Sequence, residues 1–240
     1  MLSKKFTAVA GAAETDPNFS SVSLLLHCDG TNGSQTFTDS SSSPKTVTAN
    51  GNAQVSTSTK KYGTGSLALD GSGDYLSVAS TSGQLGSGNF TVECWVYLIS
   101  RVSSYPCIWG NYTSFGSGSF ALFAGHNSGT TTKYNLAVDG SFPFIQSTSS
   151  ITYNQWTHIA VVRNGTGTNN VTLYLDGVAN GSGTTTATLN GTSGVSYIGT
   201  TGDDIANGYL NGYIDDFRIT KGVARYTGNF TPPTSAFPNQ

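Results

Sequence analysis

The stretch FTVECWVYLI, residues 90–99, alternates aliphatic, thiol or phenyl side chains with polar or amphipathic ones from Phe90 to Leu98. Successive side chains of a strand point to opposite faces. Phe90, Val92, Cys94, Val96 and Leu98 therefore share one face, and Thr91, Glu93, Trp95 and Tyr97 the other. The first set reads as a core packed against a second layer. The second is a polar and aromatic face suited to lining a concave groove.

Outward from this segment the same signal recurs between Gly/Asn/Ser turns. VSLLLHC (22–28), GSLALD (65–70), DYLSVA (74–79), PCIWG (106–110), SFALFAG (119–125), KYNLAV (133–138), WTHIAVVRN (156–164), TTTATL (184–189) and LNGYIDDFRIT (210–220) are among the extended segments. No window of helical length carries an apolar stripe at 3.6 spacing. About fourteen short strands predict an all-β fold, two antiparallel sheets of six or seven strands packed as a sandwich or jelly roll. In LDGV (175–178), Asp176-Gly177 is the pair that a type I′ hairpin requires.

Composition sets limits on function. Charged residues are 10% of the 240 and the net charge is −2, too little field to hold a polyanion or an anionic membrane. Nucleic acid and membrane are therefore not expected partners. Cys28, Cys94 and Cys107 have no metal-type spacing and sit among apolar neighbours, so they read as buried thiols. Residues 1–21, with Lys4, Lys5 and Pro17, are too poor in apolar side chains to fold alone and read as an arm for attachment or assembly; residues 22–240 form the domain.

VSLLLHCDG, KKYGTGSLALDGSGDYLSV, NFTVECWVYL, YNQWTHIAVVRNG, VTLYLDGV, YIGT and GYIDDFRITKGVARYTGNFTPPTSAF occur in this order between residues 22 and 237. Together they resemble the laminin-G-like (concanavalin A-like) jelly-roll domain. The closing stretch is similar to the variant found in structural proteins of tailed phages, which implies a virion component: a head decoration, a fibre or a tail adhesin. The family also implies a structural calcium. Its oxygens would come from Asp29, from Asp70 or Asp74, and from one of Asp215 and Asp216. A hard cation suits such a set, but Asx turns at Asp29-Gly30 and Asp70-Gly71 explain those two acids equally well.

Catalysis has little to build on. Glutamate occurs only as Glu14 and Glu93, and Glu93 is followed by Trp95 and Tyr97, not by alternating acids as in the glycosidases of this fold. Hydrolysis of a glycosidic bond needs two carboxylates across it. A partly buried Glu93 satisfied by Arg or Tyr is the expected arrangement. His158 reads as a packed histidine. The nine Asn-X-Ser/Thr matches read as polar loops.

Trp95, Tyr97, Trp109, Tyr112 and Phe115 are the candidates for a sugar platform, with Glu93 as a hydrogen-bonding partner. Arg218 is expected to neutralise Asp216, two residues away on the same face. The expectation is a non-enzymatic virion protein at the particle surface, oligomeric there, joined to other virion proteins through its arm and able to hold surface glycans. A secreted carbohydrate-binding adhesin is the alternative, and a glycoside hydrolase ranks last.

Overall fold

The computed structural model describes residues 15–79, 81–111, 115–126, 131–191, 194–202 and 205–240. These hold fifteen strands: β1 (Val22–Leu26), β2 (Val47–Asn50), β3 (Gln54–Ser56), β4 (Ser66–Asp70), β5 (Tyr75–Ala79), β6 (Phe90–Ser100), β7 (Cys107–Gly110), β8 (Phe120–His126), β9 (Thr131–Val138), β10 (Ser141–Ser150), β11 (Trp156–Arg163), β12 (Val171–Leu175), β13 (Val178–Gly183), β14 (Val195–Ile198) and β15 (Asn211–Lys221). Sheet A runs β13-β12-β11-β6-β15-β4-β3 with β1 also on β15, and sheet B runs β10-β9-β8-β7-β14-β5-β2. Every pairing is antiparallel. The expected all-β sandwich is the fold of the chain.

The core lies where the alternation of β6 puts it. Phe90, Val92, Cys94, Val96 and Leu98 all belong to the main buried cluster between the sheets, and the Phe90 ring meets Phe120 of sheet B edge to face at 5.7 Å. Asp176 and Gly177 join β12 to β13 with φ of 47° and 77°, the two left-handed residues of a type I′ turn. A Cβ on Gly177 would strike the Phe230 carbonyl, so this glycine is needed both for its conformation and for the close approach of the C-terminal tail.

Residues 184–189 do not form the expected strand. Arg163, buried at the end of β11, donates from Nη1 to the Ala187 carbonyl (2.8 Å) and from Nη2 to Thr185 (3.0 Å), and Asn170 also donates to Thr185 (2.8 Å). Side chains thus satisfy carbonyls that a neighbouring strand would otherwise serve.

Asp16 to Ser21, assigned above to the arm, pack on the body. The Asp16 amide donates to the Gln240 carbonyl (2.6 Å), and Phe19 packs against Val22, Leu25 and Phe237. Residues 1–14 lie outside the described residues. Among the described residues no helix is long and apolar enough to cross a membrane.

Candidate functional site

The outer face of sheet A divides into a covered half and an open half. The covered half is built on Glu93, which β6 holds opposite Arg218 of β15 and Ala160 of β11. Arg218 donates from Nε and Nη2 to Glu93 Oε1 (3.0 and 2.8 Å) and from Nη1 to Asp16 Oδ2 (3.2 Å). Arg225 grips both oxygens of Asp16 (3.0 and 2.6 Å). The Tyr226 hydroxyl donates to Glu93 Oε2 (2.7 Å), and His158 Nε2 stands 3.4 Å from the same oxygen.

All of this lies beneath the tail, residues 222–240, whose Tyr226 stacks on Phe230 at 3.5 Å. Burial alone would raise the Glu93 carboxyl, but Arg218, His158 and Tyr226 together hold it well below the usual carboxylate range. Glu93 is thus a locked anion within a paired network. It faces the side its parity predicts, but not a groove.

Trp95 meets the same fate. It is 5% exposed, with the Lys61 ammonium 3.8 Å above its ring and Tyr62 edge-on at 6.0 Å. Trp109 is fully buried between the sheets, against Phe120 and Phe217, so its expected place in a groove is corrected: on β7 it points inward. Tyr112 lies outside the described residues. Phe115 is 42% exposed, with its ring 6.5 Å from Phe142 on the outer face of sheet B. Arg218 does not pair with Asp216, because a bulge between Asp215 and Arg218 intervenes.

That bulge explains the adjacent acids. Along one edge β15 pairs with β4 through Asn211 to Ile214 and with β1 through Phe217 to Thr220, and Asp215-Asp216 fall between the two partners. Asp216 is the extra residue, in the left-handed region at φ 46°, where aspartate is tolerated. Its Oδ2 accepts the Phe237 amide (2.9 Å) and its Oδ1 lies 2.5 Å from His27 Nδ1. Asp215 Oδ2 accepts the amides of Lys61 and Tyr62 (2.7 and 3.1 Å). Burial pushes the Asp215 carboxyl up to about 7, despite those two donors.

Of the five aspartates considered for calcium, Asp70 and Asp74 line one groove, and Asp29, Asp215 and Asp216 are not in its lining. Asp29 accepts from the amides of Thr64 and Gly65. Asp70 accepts from Ser72, Asp74 from Asn52 and Asp70, and Asp216 from the tail. Each of these four carboxylates has at least one oxygen on a backbone N–H. Among the described residues no group of three His, Cys, Asp or Glu side chains is placed to hold a metal. This donor set does not fit calcium.

The open half begins one step further along β6. Register places Trp156 of β11 and Tyr213 of β15 on either side of Tyr97. The three half-buried rings form a row across the sheet, with centroids 5.6 and 5.8 Å apart. Next to Tyr213 a groove of about 180 Å³ is lined by Asn52, Gln54, Asp70, Asp74, Ile99 and Asn211. Flat apolar rings beside amide and carboxylate acceptors match the C–H faces and the hydroxyls of a sugar.

Sequence reading found Tyr97 but missed Trp156 and Tyr213. Both lie on extended segments that the sequence identifies, but only pairing register sets them beside Tyr97.

Solved structures show the same fold. Domain 4 of AbnA, an extracellular GH43 arabinanase from Geobacillus stearothermophilus, solved with arabinotriose, matches over 89% of this chain and 95% of its own, at TM-score 0.59 and 21% identity. The binding domain of botulinum neurotoxin serotype D matches over 86% of this chain at TM-score 0.61 and 17% identity, and that of serotype C1 over 85% at 0.59 and 15%. The chain spans about half of each toxin domain. At these identities the likeness is one of fold. No curated protein matches the sequence. The family model described as the concanavalin A-like lectin/glucanases superfamily matches residues 70–225, more than half of the chain, and the protein belongs to that superfamily.

Proposed function

We propose that this chain is a non-catalytic recognition module that holds a glycan chain along the Trp156–Tyr97–Tyr213 row. The row itself carries the reading: three rings from three adjacent strands, left uncovered where the rest of the face is closed. The arabinotriose bound by the AbnA domain supports it by analogy of fold. Two of the acids nearby are tied up in the fold. Glu93 is enclosed as a permanent anion, and Asp74 has one oxygen on the Asn52 amide and the other on the Asp70 amide. A general acid needs a free, exchangeable proton at the bond it breaks.

Affinity electrophoresis through gels containing arabinan, xylan, glucan or galactomannan tests the reading. Wild type is expected to be retarded by at least one of them, and Tyr213→Ala and Trp156→Ala to run free. Equal retardation of all three proteins, or release of reducing sugar by wild type, would overturn it.

The finer placement is a virion surface, with the sandwich displayed and the residues before Asp16 joined to other particle proteins or to further copies. It rests on the resemblance of the closing stretch to phage structural proteins. Removing residues 1–14 keeps the Asp16 pairing, so this variant is expected to stay folded and to lose assembly. A truncated protein that still decorates particles would end that reading.

A further inference from the structure

Pairing register carries the aromatic row further across sheet A than its three rings. Tyr213 stands opposite Ala68 of β4, and Ala68 opposite Gln54 of β3. Directly paired residues of antiparallel strands share a face, so Trp156, Tyr97, Tyr213, Ala68 and Gln54 form one line across five strands, about 19 Å at the usual strand spacing. The small Ala68 leaves a dip beyond Tyr213, which is the groove of about 180 Å³. Two features of this line restrict what it can hold. Neighbouring rings are turned by 64° (Trp156 and Tyr97) and 71° (Tyr97 and Tyr213), so no single plane lies flat on both rings of either pair. The groove at the end of the line has two carboxylates, the exposed Asp70 and the buried Asp74, and no Lys, Arg or His in its lining. Among the described residues neither has an ion-pair partner, whereas Glu93 and Asp16 on the covered half are matched by guanidiniums.

Resting on the glycan-binding reading above, we infer that the ligand of this line is a single uncharged polysaccharide chain lying across the strands, and that Asp70 is the specificity residue that excludes acidic polymers. A free chain turns from one sugar residue to the next and can lay successive faces on rings that are themselves turned; a crystalline face is flat and cannot. A sugar residue seated in the dip meets the amides of Asn52, Gln54 and Asn211, which donate and accept and so suit hydroxyls. A uronate carboxylate in the same place faces Asp70 with no cation to offset the repulsion. Asp70 is the member of the acid pair open to solvent, held in place by the Ser72 amide on its Oδ1 (2.8 Å), so its charge reaches the groove.

The test is affinity electrophoresis of the full chain through soluble arabinan, xylan, glucan and galactomannan and, separately, through polygalacturonate and alginate, with co-sedimentation on microcrystalline cellulose and crystalline chitin. Wild type is expected to be retarded by at least one neutral polymer, to bind the two polyuronates roughly tenfold less tightly or weaker still, and to stay in the supernatant above both solids. Asp70→Asn, which keeps an acceptor for the Ser72 amide, is expected to strengthen retardation by polygalacturonate roughly fivefold, the worth of one exposed charge at close range. Gln54→Lys adds a cation to the groove without touching that turn and is expected to act in the same direction, so it decides the matter if the melting temperature shows Asp70→Asn to be misfolded. Polyuronates bound as tightly as neutral polymers, pelleting with either solid, or no gain in a folded Asp70→Asn would each overturn the inference and leave the row standing as a glycan site. Wild type retarded by no polymer sinks the reading above, and this one with it.

Discussion

Two halves of one sheet face, both supplied by alternate residues of β6, have opposite characters. Under the tail Glu93 lies within a network of two carboxylates and two guanidiniums, and Trp95 beside it lies under Lys61 and Tyr62; one step on, Tyr97 stands in an open aromatic row. The difference is cover. Where tail and loop exclude water, a charge must be matched or the fold loses more than the pair contributes. Where nothing covers the face, half-buried rings persist because a neighbouring ring shields each one. Burial of an aromatic or an acid on a lectin-like sheet thus says little about binding until the segment lying over it is known.

The largest effect that could break this contrast is at Glu93. Glu93→Ala leaves Arg218 with half its compensation, and a buried pair stripped of one partner costs about 3–5 kcal/mol. In a domain of this size that is a fall of about 10 °C in melting temperature. A fall of only a degree or two would mean the covered half is not closed.

Next comes pH. Asp215, at about 7 against an ordinary 3.8, is protonated in the fold over a range where the unfolded chain is ionised. The folded state then binds the extra proton, so stability falls as pH rises from about 4 to about 7, at up to about 1.4 kcal/mol per unit. His27, raised because Asp216 outweighs its burial, acts in the same direction as pH passes its folded value. Glu93 and Asp16, both lowered, contribute stability that is lost on further acidification. Urea titrations of Asp215→Asn across this range should show a flatter profile than wild type; parallel profiles would refute the assignment.

Asp16→Ala is a smaller change. It removes charge-assisted bonds to two arginines, about 1.5–3 kcal/mol, and should speed protease cleavage within 222–240. Unchanged cleavage would mean that Asp16 does not hold the tail. Smallest is Tyr213→Ala in the open half. About a tenfold loss of polysaccharide affinity, roughly 1.4 kcal/mol, should come with little change in unfolding midpoint, in contrast to Glu93→Ala.

The layers of the fold were legible from β6 outward, because alternation over ten residues leaves one arrangement that buries Phe90 through Leu98. The hairpin at Asp176-Gly177 was legible for a local reason, two consecutive left-handed residues. Cover was not. Nothing within residues 90–99 says that Tyr226 and Phe230, more than a hundred residues later, lie on Glu93 and His158. The bulge at Asp215-Asp216 was hidden for a related reason: strict parity predicts an Asp216–Arg218 pair, and one inserted residue cancels it. Trp156 and Tyr213 went unnoticed as a set because register is a property of pairs of strands.

The contact between the Asp16 amide and the Gln240 carbonyl has a practical meaning. Polypeptide enters and leaves the sandwich at one point, so a host protein need open a surface loop by only the width of a hydrogen bond to accept residues 16–240 as an insert. The same closeness makes the domain a ready subject for circular permutation, with new ends cut at any exposed turn away from the tail.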